Sequence, residues 1–538
     1  MPFNDAADQV KYREQEEQST KQRAHLLKID YLDSREIADI PLANGILTNP
    51  EMYESKMVPL YDKQNGYTFG ITIGTPQQML RTLRDKFQDK NIEFLMISNS
   101  GFREMMLRFD PPEEVHYQDI TVSQEGAGDN VREVSETLEG VRSDDILDYV
   151  ILQADKLGAS DIHFETAKGG VRVRFRLDGA LHMIAVISHQ KYRQLQQSIA
   201  VKANISTSAP DAQTGHLSQP IEQADGSYKT LNMRIETVPT LYGQDAVVRL
   251  FNMDPSLLRL DNLGLSERER APIDNVIAHP NGMVLMVGPT GSGKTTTLYS
   301  ILQQLNDPTR KIITLEDPVE YGLDGMSQIP VYSREGDSFG NKLRAVMRLD
   351  PDVIMVGEIR DVDTARTALQ ASITGHLVLS TFHAGSAAEA FTRMIDMIGQ
   401  NPILISAIKL IISQRLVRKL DDATKIEYEP DDAVKNHIRE TLQNLPESIE
   451  KPDLENIKLW KPGKSEENPF GYKGRITVLE QLMITPEIQA MLRDAFNIPT
   501  SPQIELQARQ QGMITMYQDG VLKALKGVTT LEEINRVL

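Results

Sequence analysis

The chain has 538 residues, 40% of them apolar and 25% charged, with 58 Lys and Arg against 76 Asp and Glu and no cysteine. This length exceeds one ordinary core and points to three or four modules of roughly 100–200 residues each, and the composition excludes fibrous, collagen-like and wholly disordered material. The formal charge of −18 argues against a nucleic-acid motor, whose phosphate contacts need clustered cations, and the missing cysteines exclude disulfides, thiolate metal sites and thiol catalysis.

Residues 1–30 read as a charged tail without the roughly 7–15-residue apolar core of a secretory leader, so a cytoplasmic location is expected. No apolar run reaches the roughly 18–20 residues of a membrane span. The best candidate, Pro402 to Ile412, is short and carries Lys409, so any membrane association is expected to be peripheral. Residues 31–109 alternate strand-like and helical patterns, as in Gly66 to Ile73 followed by Thr75 to Phe87, where Pro76 starts a helix. Residues 110–143 turn acidic and Gly-containing and read as a linker.

In the module over 144–254, Val171, Val173, Phe175 and Leu177 alternate with Arg172, Arg174 and Arg176, and Asp178-Gly179 supplies a tight turn. The arginine face is either a solvated strand surface or a stripe aimed at phosphates across a subunit boundary. Residues 255–420 alternate short apolar runs with helical segments, the pattern of a parallel sheet wrapped by helices. The remainder, 421–538, starts polar without a clear core and closes in a small helical piece.

The segment Gly288-Pro289-Thr290-Gly291-Ser292-Gly293-Lys294-Thr295 fits GxxxxGK[ST] and stands between an apolar run, Met283 to Val287, and a helical stretch that includes Thr296. Its glycines let backbone amides approach phosphates, Lys294 would bridge β- and γ-phosphates, and Thr295 would hold Mg²⁺. ATP with Mg²⁺ is the cofactor expected. Three further apolar runs end in polar residues: Ile312 to Leu315 at Glu316 and then Glu320, Val353 to Val356 at Glu358, and Leu377 to Leu379 before His383. Ligands of open parallel sheets bind outside the carboxyl ends of the strands. Glu358 is therefore expected to activate water or face the metal, with Glu320 and Glu316 competing for the role. His376 and His383 flank the last run, where either could sense the γ-phosphate or bridge to a neighbouring subunit.

These motifs resemble those of the secretion and pilus-assembly ATPases of type II and type IV systems. Leu315 to Tyr321 is similar to the family's Asp box, Leu343 to Asp361 to its Walker B stretch and Thr374 to His383 to its His box. Ala159 to His163, Val173 to Gly179 and Pro239 to Arg249 resemble its second domain. The resemblance implies an α/β chain whose RecA-like P-loop ATPase domain (255–420) follows an N-terminal docking domain (31–109) and a PAS-like second domain (144–254). A small helical C-terminal region follows. It also implies Arg234 and Arg249 as arginine fingers, with Arg174 and Arg176 as weaker candidates. The expected assembly is a homo-oligomer, a hexamer, in which the second domain of one subunit closes on the ATPase domain of another. It would drive an inner-membrane platform protein and bind no nucleic acid.

Two departures qualify the likeness. Where the family has zinc cysteines, this chain places Asp421, Thr424, Lys464 and Glu467, so no zinc is expected. Thr214-Gly215-His216 replaces an Asp-Gly-Arg turn. No repeated Arg-Leu-Gly segment of the cyclic-dinucleotide-binding first domain is present. Pilus extension, type II secretion and retraction share this chemistry, and the first domain favours the first two. A nucleotide-binding regulator without turnover is the reading from another class.

Overall fold

The computed structural model describes residues 6–538 except 35–39, 64, 111–116, 121–126, 208, 223–227, 252–254, 332–337, 400, 448, 466–467 and 494–498. The chain divides into two units, Met1–Gln118 and Asp119–Leu538.

In the first unit, β1 (Asp30–Tyr31), β2 (Met57–Lys63), β3 (Gly66–Ile71) and β4 (Asn91–Met96) form a sheet in the order β1-β4-β3-β2. The helix Gln77–Lys86 makes the crossover that the parallel pair β3 and β4 requires. Leu60, Phe69 and Met105 are fully buried in its core. The segment read as a tail contains a docked helix, Ala6–Leu27. Its Glu17 is buried and accepts hydrogen bonds from Ser98 Oγ at 2.7 Å and from the Tyr31 hydroxyl. Neighbouring Glu16 accepts from Ser100 Oγ at 2.5 Å and Ala24 is buried, so a few individual contacts fix this helix, which a reading of composition cannot register.

The second unit opens where a linker was expected, with the helix Ala127–Gly140. Val134 and Leu138, four residues apart on one face, are buried, and Ser135 Oγ accepts from the Val186 amide at 2.9 Å. Acidic neighbours masked this short apolar stripe. Six antiparallel strands follow: β5 (Ala159–Ala167), β6 (Gly170–Leu177), β7 (Ala180–Ile187), β8 (Gln213–Glu222), β9 (Tyr228–Thr240) and β10 (Gly243–Phe251), in the order β7-β6-β5-β10-β9-β8. The expected hairpin is β6–β7. Val173 and Phe175 are buried on its apolar face with Ile162 and Phe164 of β5.

The P-loop domain is built on β11 (Gly282–Val287), β12 (Ile312–Glu316), β13 (Ser327–Pro330), β14 (Val353–Val356), β15 (Leu377–Phe382) and β16 (Ile408–Leu420), all parallel. After the short pair β17 (Ile426–Tyr428) and β18 (Leu459–Lys461), β19 (Tyr472–Met483) returns antiparallel to β16, giving the order β13-β12-β14-β15-β11-β16-β19. The sheet therefore does not stop at Leu420, because its last strand comes from the C-terminal region. The intervening polar segment hid this pairing. Around it that region is helical, as expected, ending in Met516–Leu525 and Leu531–Val537.

Candidate functional site

Every residue of β11 is buried, as a central strand covered on both faces must be. The loop after it turns at Gly288, Gly291 and Gly293 with φ of 148°, 78° and 83°. At Gly288 a β-carbon would lie 2.6 Å from the Gln414 carbonyl oxygen, and at Gly293 2.8 Å from the Gln414 amide nitrogen. Both positions therefore need glycine. The helix Lys294–Leu305 begins directly afterwards, and a helix N-terminus favours an anion at this point. Lys294 Nζ donates to the Gly288 and Pro289 carbonyls at 2.8 and 2.9 Å. Burial lowers the pKa of its ammonium, against the pull of Glu358 and Glu320 and with a further push from Arg415.

A cleft of about 770 Å³ opens over this loop. The three carboxylates all reach it, in different states. Glu316 is 3% exposed and accepts from the Tyr299 hydroxyl, from Thr314 Oγ1 and from Gln328 Nε2 at 3.1 Å. With three donors on it, Glu316 holds Tyr299 and the end of β12 in place, and most of its acceptor capacity is taken. Burial, then neighbouring Glu316, raises the Glu320 pKa, while Arg249, the Thr295 hydroxyl and Lys294 draw it back. Glu358 stands just past β14, paired with Arg360 and 3.7 Å from His383 Nε2.

The arginines come from the second domain. Asp161 of β5 accepts from Arg249 Nε of β10 at 2.9 Å and lies 3.3 Å from Arg176 Nε of β6. These two guanidiniums line the cleft. Arg234, the register partner of Arg249 on β9, lies one strand further out and pairs with Glu236 at 2.7 Å, outside the cleft lining. Arg174 pairs with Glu165. Among the candidate fingers, Arg249 and Arg176 thus line this cleft, which lies over β6, β5 and β10, and Arg234 and Arg174 do not. Arg249 and Arg176 face the P-loop of their own chain. The connection at Pro255–Leu258 is tied down by Ser300 Oγ, which donates to the Leu257 carbonyl at 2.6 Å.

His376 and His383 flank β15 as expected: His376 precedes it, at the end of the strand away from the loop, with Nδ1 2.9 Å from the Ala371 carbonyl oxygen, whereas His383 follows it and lines the cleft. Gln414 and Arg415 were missed. Gln414 is 1% exposed and grips the loop, and Arg415 lines the cleft. They stand where the apolar run of β16 turns polar, the same signal that singled out Glu316 and Glu358. Arg475 and Arg536 also line the cleft.

The sequence pattern described for type II/IV secretion system proteins matches residues 140–536. The chain belongs to this family. It is 40% identical over 408 residues to the type II secretion system protein E of Xanthomonas campestris, covering 73% of this chain and 66% of that relative. It is 39% identical over 389 residues to the type IV pilus assembly ATPase PilB of Pseudomonas aeruginosa, covering 72% and 66%. The matches thus span just under two thirds of each relative's length. The ATPase DotB of Legionella pneumophila shares the fold, with a TM-score of 0.55 at 21% identity over 74% of this chain and 96% of that one.

A nucleotide fits the loop and cleft, and Thr295 with Glu358 offers oxygen donors on the side where Mg²⁺ would meet the phosphates. The zinc positions do not fit that ion. Asp421 accepts from Asn468 Nδ2 at 2.8 Å, Lys464 is a cation, Thr424 offers only a hydroxyl, and Glu467 lies outside the described residues. Among the described residues no cluster of three His, Asp or Glu could hold a metal, and no helix is long and apolar enough to cross a membrane.

Proposed function

We propose that this family member is a cytoplasmic, ring-forming ATPase, a homo-hexamer, that couples ATP hydrolysis to pilus assembly at an inner-membrane platform protein. The supporting observation is a single cleft in which the phosphate loop, Glu358 and the Arg176–Asp161–Arg249 cluster face one another. Lys294 and the loop amides would hold the β- and γ-phosphates. Mg²⁺, bound through the nucleotide, Thr295 and Glu358, would supply Lewis-acid polarisation of the phosphates. Glu358 orients water, with His383 beside it as the group that registers the γ-phosphate. Glu320 is held near Thr295 as the second carboxylate. Arg249 and Arg176 neutralise charge that develops on the transferred phosphoryl group.

The relatives carry pilus-assembly and secretion names at nearly equal identity, which supports type II secretion as the alternative task. The separate unit Met1–Gln118 supports either task over retraction. The test is steady-state hydrolysis of ATP with Mg²⁺ by the full chain, beside Lys294→Ala and Glu358→Gln, with mass measured under the same conditions. Turnover by a ring and its loss in both variants uphold the motor. Binding without turnover in an assembled ring gives the lead to a nucleotide-binding regulator.

A further inference from the structure

Beyond the phosphate loop the cleft carries two further arginines, Arg475 and Arg536, that the phosphate chemistry leaves unused. Leu416 of β16 packs against the phosphate loop, 3.2 Å from where a β-carbon of Gly293 would sit. Two residues along, Arg418 pairs in register with Arg475 of β19, about 7 Å further on at the rise of an extended strand. Arg475 lines the cleft, as do Arg536 and Val537 of the helix Leu531–Val537.

Arg536 is held in a fixed orientation. Its Nε and one Nη donate to the two carboxylate oxygens of Glu533 at 2.9 and 2.7 Å, which sets the plane of the guanidinium. Glu533 is 2% exposed and also accepts from the Arg418 amide at 3.2 Å and from the Arg418 side chain. Arg418 in turn lies over the Tyr472 ring, 4.0 Å from its centre. Burial would neutralise Glu533, yet hydrogen bonds from the two arginines hold its pKa at about 2, so the clamp stays charged at neutral pH. The flat face of Arg536 and its remaining N–H donors are left for a ligand.

We infer that Arg536, fixed by Glu533 and acting with Arg475 and Val537, binds the base and ribose end of the nucleotide whose phosphates the Gly288–Thr295 loop holds. This rests on the nucleotide reading above. A planar cation stacks on a flat base and donates to ring and ribose acceptors, and an aliphatic neighbour such as Val537 suits the same base. The phosphates already have Lys294 and the loop amides.

The test is calorimetric titration of the full chain with ATP and, separately, with inorganic tripolyphosphate. Arg536→Ala is expected to weaken ATP about five- to thirtyfold and to leave tripolyphosphate within about twofold of native. Arg536→Lys keeps a cation opposite Glu533 and guards against loss of folding. It is expected to lose ATP affinity as the alanine variant does, because the planar group is gone. Unchanged ATP affinity in both variants overturns the inference, and so does an equal loss for tripolyphosphate, which would make Arg536 a phosphate contact. If native chain binds ATP no better than Lys294→Ala does, the nucleotide reading itself falls, and this inference falls with it.

Discussion

The side-chain amide of Gln414 donates to the Ser292 carbonyl across 2.8 Å, so a strand outside the phosphate loop holds that loop in shape. The same side chain accepts from Thr297 Oγ1 at 3.0 Å, linking loop, helix and β16 in one buried unit.

Gln414→Ala leaves the Ser292 carbonyl and the Thr297 hydroxyl without this partner in a buried setting. A loss of about 1–3 kcal/mol in stability is expected, together with ATP affinity weaker by about tenfold as the loop loses its preorganised form. Denaturant unfolding and ATP titration measure the two effects. Native-like affinity would show that the loop holds its shape through Gly288 and Gly293 alone.

Glu320 yields a pH-dependent prediction. Burial and Glu316 raise its pKa above the ordinary value of 4.5. The folded state thus prefers the protonated carboxyl, a preference fully available below the unfolded value and lost as pH rises through the folded one. Glu320→Gln removes the ionisable group. The variant is expected to melt above native chain at about pH 8, the gap closing towards about pH 4, while hydrolysis falls. A gap that stays constant across this range would contradict the account.

Asp161 keeps Arg176 and Arg249 together at the cleft. Asp161→Asn preserves volume and removes the charge that aims both guanidiniums. A fall in kcat of about tenfold is expected, the scale of misdirecting one preorganised donor. The melting temperature should move little, because both arginine side chains reach solvent. Steady-state hydrolysis beside a thermal melt checks this. Native kcat would mean that the arginines are placed without Asp161.

The segment that follows Leu420 is held by apolar packing of Ile438, Leu442, Leu459 and Val521. Leu442→Ala is expected to cost about 2–5 kcal/mol, whereas incubation with a zinc chelator should leave the melting temperature of native chain unchanged. A chelator-induced drop would reveal a metal that this core does not require.

Sequence by itself determined the phosphate loop, because its needs are local. Positive φ at Gly291 and Gly293, the lysine and the helix start all lie within eight residues. It likewise determined the hairpin at Asp178-Gly179 and the parallel strands that end at Glu316, Glu358 and His383, through alternation and short apolar runs. Tertiary structure alone decided which of these groups meet. Arg234 and Arg249 look alike in sequence, yet one strand of displacement leaves only Arg249 at this cleft. Glu316 stands at a strand end like Glu358, yet only the fold shows Tyr299, Thr314 and Gln328 donating to it. His376 lies seven residues before His383, and because β15 runs between them they sit at opposite ends of that strand. Strand β19 joins β16 across a gap of about fifty residues, a pairing that register and burial decide rather than any local preference.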